Sequence, residues 1–419
     1  MLDPYRRRRG QVAQQRRTAL VRARRARSMT QEDLAELLQV GLRSVKRWES
    51  GESTPYLSTR PAIAEALGVS VTALEAMLSE PEPVLPQAPE VDLALAPTLT
   101  VPAEAGLRAG LPVPRHVTAA DAAQLDNVVS HLEQLDHTIG GRSASRTMAF
   151  AQLDMALACL RETAMSLTVR TQWMRVAARL ARLCGFSSAD AGQHTDAERS
   201  FRVALSIARE AGDVDGWLNI VCGMIRKSLQ IGDLRRATEL LGMAEAGQRP
   251  KSPMSACMLH AVRARVYGAL GDDVRVLESI DRAEDWFAAG PSDADPAWLW
   301  YYDEPQLRGD TGHGLYPIAM QGRLVDEAAG RLRDAVSLHR PANARSIAFS
   351  TAKLATLTVM WGLSDAGPLV KQAIVAAEPV RSARLDEDLH DLAGALRRSG
   401  AVHDPAPLMA IRALLDRER

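Results

Sequence analysis

The sequence predicts an all-α protein in two helical parts, a small basic domain and a long solenoid of helix pairs, joined by a proline-rich linker. Three observations carry that prediction. Apolar residues recur at helical spacing almost throughout, while aromatics make up only 4% of the chain and alternating β-branched runs are missing. A small–large–small pattern repeats at a near-constant interval over the C-terminal half. Eight of the 22 prolines crowd into residues 81–114, a density that excludes a helix or a central strand there.

The first segment, residues 1–12, is a basic arm carrying Arg6, Arg7, Arg8 and Arg9. The residues after these arginines read "GQVAQQRR", with no apolar h-region, so an export signal is rejected and the protein is expected in the cytoplasm. The formal net charge of 0 hides an asymmetry. Residues 1–80 hold 14 Lys+Arg against 9 Asp+Glu, and the rest of the chain is acidic by the same margin. Ten arginines and no acid lie between Tyr5 and Arg27, which points to a polyanion partner for the N-terminus alone. The arm could lie along phosphates or enter a minor groove, and a solvated tail is the plainer alternative.

Residues 13–80 hold "TQEDLAELLQVGLRSVKRWESGE" (30–52). Thr30 suits an N-cap, and Gln31–Leu38 form a short amphipathic helix with Leu34, Ala35 and Leu38 inward. Val40 and Gly41 occupy a turn, and Leu42–Trp48 form a second helix with Val45 and Trp48 facing the first. Ala35 is small because the second helix crosses over it. This is the apolar spacing of a helix-turn-helix.

Together with Gln31 opening the first helix and "WESGE-x-x-P" ending at Pro55, the stretch resembles the Cro/cI (XRE) type of phage and bacterial repressor. The resemblance covers residues 13–78 and implies a five-helix, lambda-repressor-like DNA-binding domain, with "LSTRPAIAEALGVSVTALEAML" supplying its closing helices. Carried over by position, Arg43 and Arg47 would contact bases, because the guanidinium fork matches guanine O6 and N7. Leu42 stands where the family often has a polar base-contacting residue and could pack only on a thymine methyl. Gln31, Ser44 and Lys46 would hold phosphates. Two further departures are Gln39, in place of the usual turn glycine, and Gly41, in place of a Ser/Thr cap. Arginines that merely solvate a helix face are the bland alternative for Arg43 and Arg47.

Residues 81–114 are the linker; as a flexible coil they would span about 30–35 Å. Residues 115–419 then repeat the pattern Ala/Val-x-x-x-(large apolar)-x-x-Ala. It occurs as Ala197/Phe201/Ala204, Ala237/Leu241/Ala244, Val276/Ile280/Ala283, Ala328/Leu332/Ala335 and Ala366/Val370/Ala373, with a weaker copy at Ala149/Leu153/Ala156. Successive strong copies lie 40, 39, 52 and 38 residues apart, the long interval holding an insertion around "GPSDADPAWLWYYDEP". Gly-Asp turns punctuate them: glycine permits the left-handed residue that closes one helix and aspartate caps the next. The pattern resembles the tetratricopeptide repeat, most closely in "GFSSADAGQHTDAERSFRVALSIA", where Gly185 falls at the repeat's usual glycine. An ordinary α-bundle is the competing architecture.

A Cro/cI-type domain, a linker and such repeats together resemble the peptide-responsive quorum-sensing regulators and a group of actinobacterial regulators of the same layout. The resemblance implies that the solenoid binds a peptide, small molecule or protein effector in its groove and forms a homodimer. The dimer would then place two domains on half-sites of an inverted-repeat operator in double-stranded DNA, about one helical turn apart. Asn219 and Asn343 fall on the first helices of repeats, where a carboxamide could pair with an extended peptide. Ordinary surface asparagines are the alternative. "WLWYYDE" places Trp298 and Tyr302 on one face at helical spacing, for inter-repeat packing or for a ligand wall.

Other function classes find little support. "RGDTGHG" (308–314) looks like a phosphate loop but lacks a preceding strand and a Gly-Lys-Ser/Thr. The nine histidines show no metal-binding spacing, no nucleophile elbow occurs, and the four cysteines are about 25 to 38 residues apart. No cofactor, metal, disulfide or membrane span is therefore expected, and no enzyme activity. The competing function is a protein-interaction scaffold whose DNA contact only localises it.

Overall fold

A computed structural model describes residues 18–27, 29–50, 55, 59–79, 113–363, 366–399 and 405–417. The basic arm with Arg6, Arg7, Arg8 and Arg9, and the linker up to residue 112, lie outside the described residues. The chain divides into two compact units, Met1–Ala88 and Pro89–Arg419. Among the described residues there are helices, turns and one isolated bridge between His116 and Ala164, but no strand. No described helix is long and apolar enough to cross a membrane.

The first unit has five short helices: α1 (Thr18–Ala26), α2 (Gln31–Leu37), α3 (Leu42–Glu49), α4 (Arg60–Leu67) and α5 (Val71–Ser79). Helices of two turns are unstable alone and depend on a shared core. Leu20, Leu34, Val45, Ile63 and Leu74, one from each helix, are almost fully buried together. Ala35 is buried in the same core, and α3 packs against α2.

The second unit is a run of helix pairs: α6 (Ala119–Ile139) with α7 (Ala144–Glu162), α8 (Leu167–Asp190) with α9 (His194–Glu210), and α10 (Val214–Gln230) with α11 (Leu234–Ala246). It continues with α12 (Pro253–Ala269) and α13 (Asp273–Ala288), α14 (Glu304–Ala319) and α15 (Val325–Leu338), α16 (Ala344–Trp361) and α17 (Ala366–Ala377), and α18 (Ala383–Ser399) and α19 (Ala406–Asp416). The recurring triples fall on the second helix of each pair, and their members are buried except for the half-buried Ala366. Phe201 shows why small residues alternate with large ones: a Cβ on Gly185 of α8 would come within 2.9 Å of its ring. The Gly-Asp turns have the expected form. Gly212, Gly232 and Gly271 take φ of 61°, 72° and 72°, and Asp213, Asp233 and Asp272 cap the next helices.

The first helices of the pairs, α8 through α18 in even numbers, pack in succession as an inner layer. This layer closes on itself. α6 packs against α8 and also against α16, where Arg345 Nη1 donates to Asp136 Oδ2 at 2.6 Å. The α6–α7 turn is held from the far end of the chain: Arg381 N–H donates to the Ile139 carbonyl at 2.6 Å, and Arg142 Nη1 to Asp386 Oδ2 at 2.6 Å. Behind this seam the buried Asp190 carboxylate accepts from Gly141 N–H at 2.8 Å and Ser382 Oγ at 2.6 Å. The solenoid therefore encloses a cavity, where the sequence leads one to expect an open groove.

Candidate functional site

The helix-turn-helix is built from local rules. Thr30 and Asp33 form a capping box at the start of α2, each side chain accepting the other's backbone N–H at 3.0 and 2.7 Å. Those hydrogen bonds, with Arg24 nearby, hold the Asp33 carboxyl below its usual range. α2 ends one residue earlier than expected, with Leu38 as its cap and half-buried. Gln39 then takes a left-handed φ of 52°, which lets Val40 N–H reach the Ala35 carbonyl at 2.9 Å. α3 starts at Gly41 with no side-chain cap.

The two faces of α3 differ sharply. Val45, Trp48 and Glu49 are buried, whereas Arg43, Lys46 and Arg47 are exposed. The only acid on the helix is Glu49, and it is turned inward: Arg24 Nε and Nη2 donate to its two oxygens at 2.6 and 3.2 Å, and Gln31 Nε2 donates at 2.6 Å. Arg24 also donates to the Met29 carbonyl at 2.6 Å. One buried carboxylate thus ties α1 and α2 to the helix that carries the cations, and the outer face of that helix holds three positive charges and no acid of its own. Residues 20–74 match the helix-turn-helix family model. The protein therefore carries a DNA-binding helix-turn-helix domain, the hallmark of a family of regulators. No curated protein matches the chain.

The candidate DNA-contacting residues divide between exposed and packed positions. Arg43, Lys46 and Arg47 sit at i, i+3 and i+4 on the exposed face, and Ser44 is half-buried beside them. Leu42 is half-buried against the edge of the domain core. Gln31 has one amide N–H engaged by Glu49. Sequence reasoning missed Glu49 because its position follows Trp48 on the inward side of α3, where an acid is read as an exposed helix residue unless its arginine partner, 25 residues away, is known.

In the second unit, the inner layer lines a cavity of about 80 Å³. Arg182 of α8, Arg226 of α10, Arg265 of α12, Arg345 of α16 and Arg384 of α18 face it, with Asp310 and His313 from α14 between them. Asp310 is clasped by Arg226 Nη2 at 2.9 Å and Arg265 Nη2 at 2.7 Å, and Tyr302 OH donates to it at 3.4 Å. Burial opposes its ionisation, yet the two arginines hold its carboxyl down to about 2. Burial, with Arg345 and Arg182 beside it, takes His137 down to about 3, and His313 is likewise held neutral by burial and its cationic neighbours.

None of the four residues expected to form a ligand groove lines this cavity. Asn219 is buried on α10 at 3% exposure. Asn343 is not on a repeat's first helix; it ends the 3₁₀ turn Pro341–Asn343 before α16, its Nδ2 3.2 Å from His339 Nδ1. Trp298 and Tyr302 do not share a helical face. Residues Ala297–Tyr301 form a 3₁₀ turn, whose three-residue period separates positions four apart, and Tyr302 lies beyond its end. Tyr302 is buried behind Asp310, and Trp298 packs half-buried on the core. The neighbour that does reach the cavity is Tyr301, its ring 5.1 Å from that of His137. "RGDTGHG" is the middle of α14, and its glycines serve close helix crossing: a Cβ on Gly312 would come within 3.1 Å of Leu332, and one on Gly314 within 3.2 Å of Ala264.

A signal for the cavity is present in the sequence. Arg182, Arg226, Arg265, Asp310, Arg345 and Arg384 follow one another at 44, 39, 45, 35 and 39 residues, close to the repeat interval. A charged position recurring in step with an apolar repeat marks the inner helices, as the small–large–small triples mark the outer ones.

Proposed function

We propose that the protein is a sequence-specific DNA-binding transcriptional regulator whose α3 reads an operator and whose solenoid binds an effector that modulates that binding. The observation that carries the first half is the exposed face of α3, with three cations and its only acid buried behind them. Arg43 and Arg47 are four residues apart, about 6 Å along the helix, close to the rise of two base pairs. They are assigned to base edges. Lys46 and Ser44 are assigned to phosphates, as is the second amide N–H of Gln31, whose first is engaged by Glu49. Arg6 to Arg9 would add salt-dependent phosphate contacts. Leu42 keeps its thymine-methyl role for the part of its side chain outside the core.

The solenoid reading is supported by the polar cavity and by the tetratricopeptide-like pairing of helices around it. Closure of the inner layer removes the open concave surface that an interaction scaffold would offer an extended partner. We assign the protein to the cytoplasm, acting as a homodimer on an inverted repeat.

The test is to incubate the full-length protein with sheared genomic DNA from its source and sequence what is retained. Enrichment of one palindrome, lost in Arg43→Ala/Arg47→Ala, supports the reading. Salt-sensitive retention of all sequences alike would sink it, because the arginines would then act on phosphates only.

A further inference from the structure

Five guanidiniums face the cavity of the second unit, and only three carboxylates, Glu133, Asp136 and Asp310, face it with them. Each carboxylate is already committed. Glu133 accepts from Arg182 Nη2 at 2.8 Å, Asp136 from Arg345 at 2.6 Å, and Asp310 from Arg226 and Arg265. Just behind the wall, Arg179 on Glu133 is matched by Asp126, and Asp190 lies near Arg345. The lining residues thus carry two positive charges in excess, which Asp190 offsets in part from behind. Protonation of Asp136, which burial favours against the pull of Arg345, would only enlarge that excess.

Arg384 is the cation left over. Among the described residues it makes no ion pair or hydrogen bond; its guanidinium stacks on the Phe349 ring at 4.6 Å. Burial, opposed by the Asp190 carboxylate and reinforced by Arg265 and Arg345, brings it down to about 10. Four further buried polar atoms on the same wall have no hydrogen-bond partner among the described residues: Arg182 Nε, Arg265 Nε, Asp136 Oδ1 and His313 Nδ1. A protein that only needed to close its ring would not keep an unmatched cation and several orphaned atoms at its centre, since each such group costs stability.

We propose that this cavity is a binding site for a small hydroxyl-bearing dianion, a phosphate monoester or a short dicarboxylate, held chiefly by Arg384 and Arg265. The positive excess of the lining calls for a ligand of negative charge, and two guanidiniums, Arg384 and Arg265, suit an anion with two charges. Guanidinium forks suit both kinds of oxyanion, and here they are held in place beforehand by Asp310 and by Phe349. Asp136 Oδ1 is an acceptor and calls for a donor, which a ligand hydroxyl supplies. The volume of about 80 Å³ has room for roughly five to eight water molecules, so a ligand of about ten non-hydrogen atoms fits and an extended peptide does not. The inference rests on the solenoid being the sensing half of the protein.

The experiment is titration calorimetry and thermal melting of the full-length protein with sn-glycerol 3-phosphate, L-malate and, as the neutral control, glycerol. The expected result is that one dianion binds and, at a hundredfold excess over Kd, raises the melting midpoint by roughly 5 °C, whereas glycerol does neither. Arg384→Gln weakens binding tenfold or more, Arg384→Lys less, and the ligand-free midpoint of Arg384→Gln stays level or rises, because an unmatched buried cation has been removed. Failure of both dianions to bind overturns the proposal, as does equal binding by Arg384→Gln or a fall of its ligand-free midpoint. No DNA enters this measurement. Dianion binding without any enriched operator would therefore sink only the regulatory reading, and an enriched operator without dianion binding would sink only this inference.

Discussion

Replacing Glu49 by alanine would strip the buried Arg24 of the carboxylate that it pairs with among the described residues. Arg24 is 6% exposed and Glu49 2%, and together with Gln31 they join α1, α2 and α3. Breaking a buried pair by removing one partner costs about 3–5 kcal/mol. A domain of about 60 residues has a total stability of roughly 3–9 kcal/mol, so the substitution consumes most or all of it. The assay is amide hydrogen exchange along α3 in the full-length chain, where a loss of about 3 kcal/mol accelerates exchange by at least a hundredfold. Operator binding should fall with it. The double substitution Arg24→Met/Glu49→Leu replaces both charges by apolar groups and should exchange close to wild type, because a removed pair costs far less than a broken one. Exchange in Glu49→Ala within threefold of wild type would refute the reasoning, since Glu49 would then be an ordinary helix residue.

Three further outcomes are expected. Gln39→Gly should stabilise the first unit by about 0.5–1 kcal/mol, the left-handed strain of a non-glycine residue less the added freedom of glycine when unfolded, and denaturant melts of the full chain would detect it as a shifted first transition. Gly268→Ala should destabilise the solenoid by about 1–3 kcal/mol or more, because its methyl group would overlap the Gly314 carbonyl where α12 crosses α14; an unchanged melting midpoint would contradict the crossing. The second unit should also weaken below pH 6.5. His137 and His260 titrate near 3 and 4 when folded against 6.5 when free, so below 6.5 the unfolded chain binds protons that the folded chain refuses. Their contribution is complete above pH 6.5 and is lost as pH falls from 6.5 toward 4, by up to about 1.4 kcal/mol per pH unit for each histidine. Urea midpoints at pH 7.5, 6.0 and 5.0 would show this fall, and equal midpoints would exclude it.

Local chemistry is what the sequence makes legible. Thr30, Gly41 and the positive φ at Gln39 follow from capping and turn rules acting over four or five residues. The outer helices announce themselves because Ala–large–Ala spacing repeats within a single helix. The cavity announces itself only faintly, because the charges that recur along its wall are spread over the whole second unit and its closure depends on the rotation accumulated over six pairs. An α period puts Trp298 and Tyr302 on one face, but proline and a short loop hold their segment as a 3₁₀ turn. Glu49 is hidden for a related reason: nothing within a turn of it shows that it faces Arg24.

Closing the inner layer changes how this solenoid can behave as a chain. In an open repeat array each unit touches only its neighbours, so units can be gained, lost or melted one at a time. Here Asp136 meets Arg345 and Asp190 meets Ser382, residues about two hundred positions apart, and every pair between them belongs to the loop that those contacts complete. Removing one pair would leave the ends unable to meet, and adding one would carry them past each other. The number of repeats is fixed by geometry, and the ring should unfold as a single cooperative body whose slow step is the joining of its distant ends.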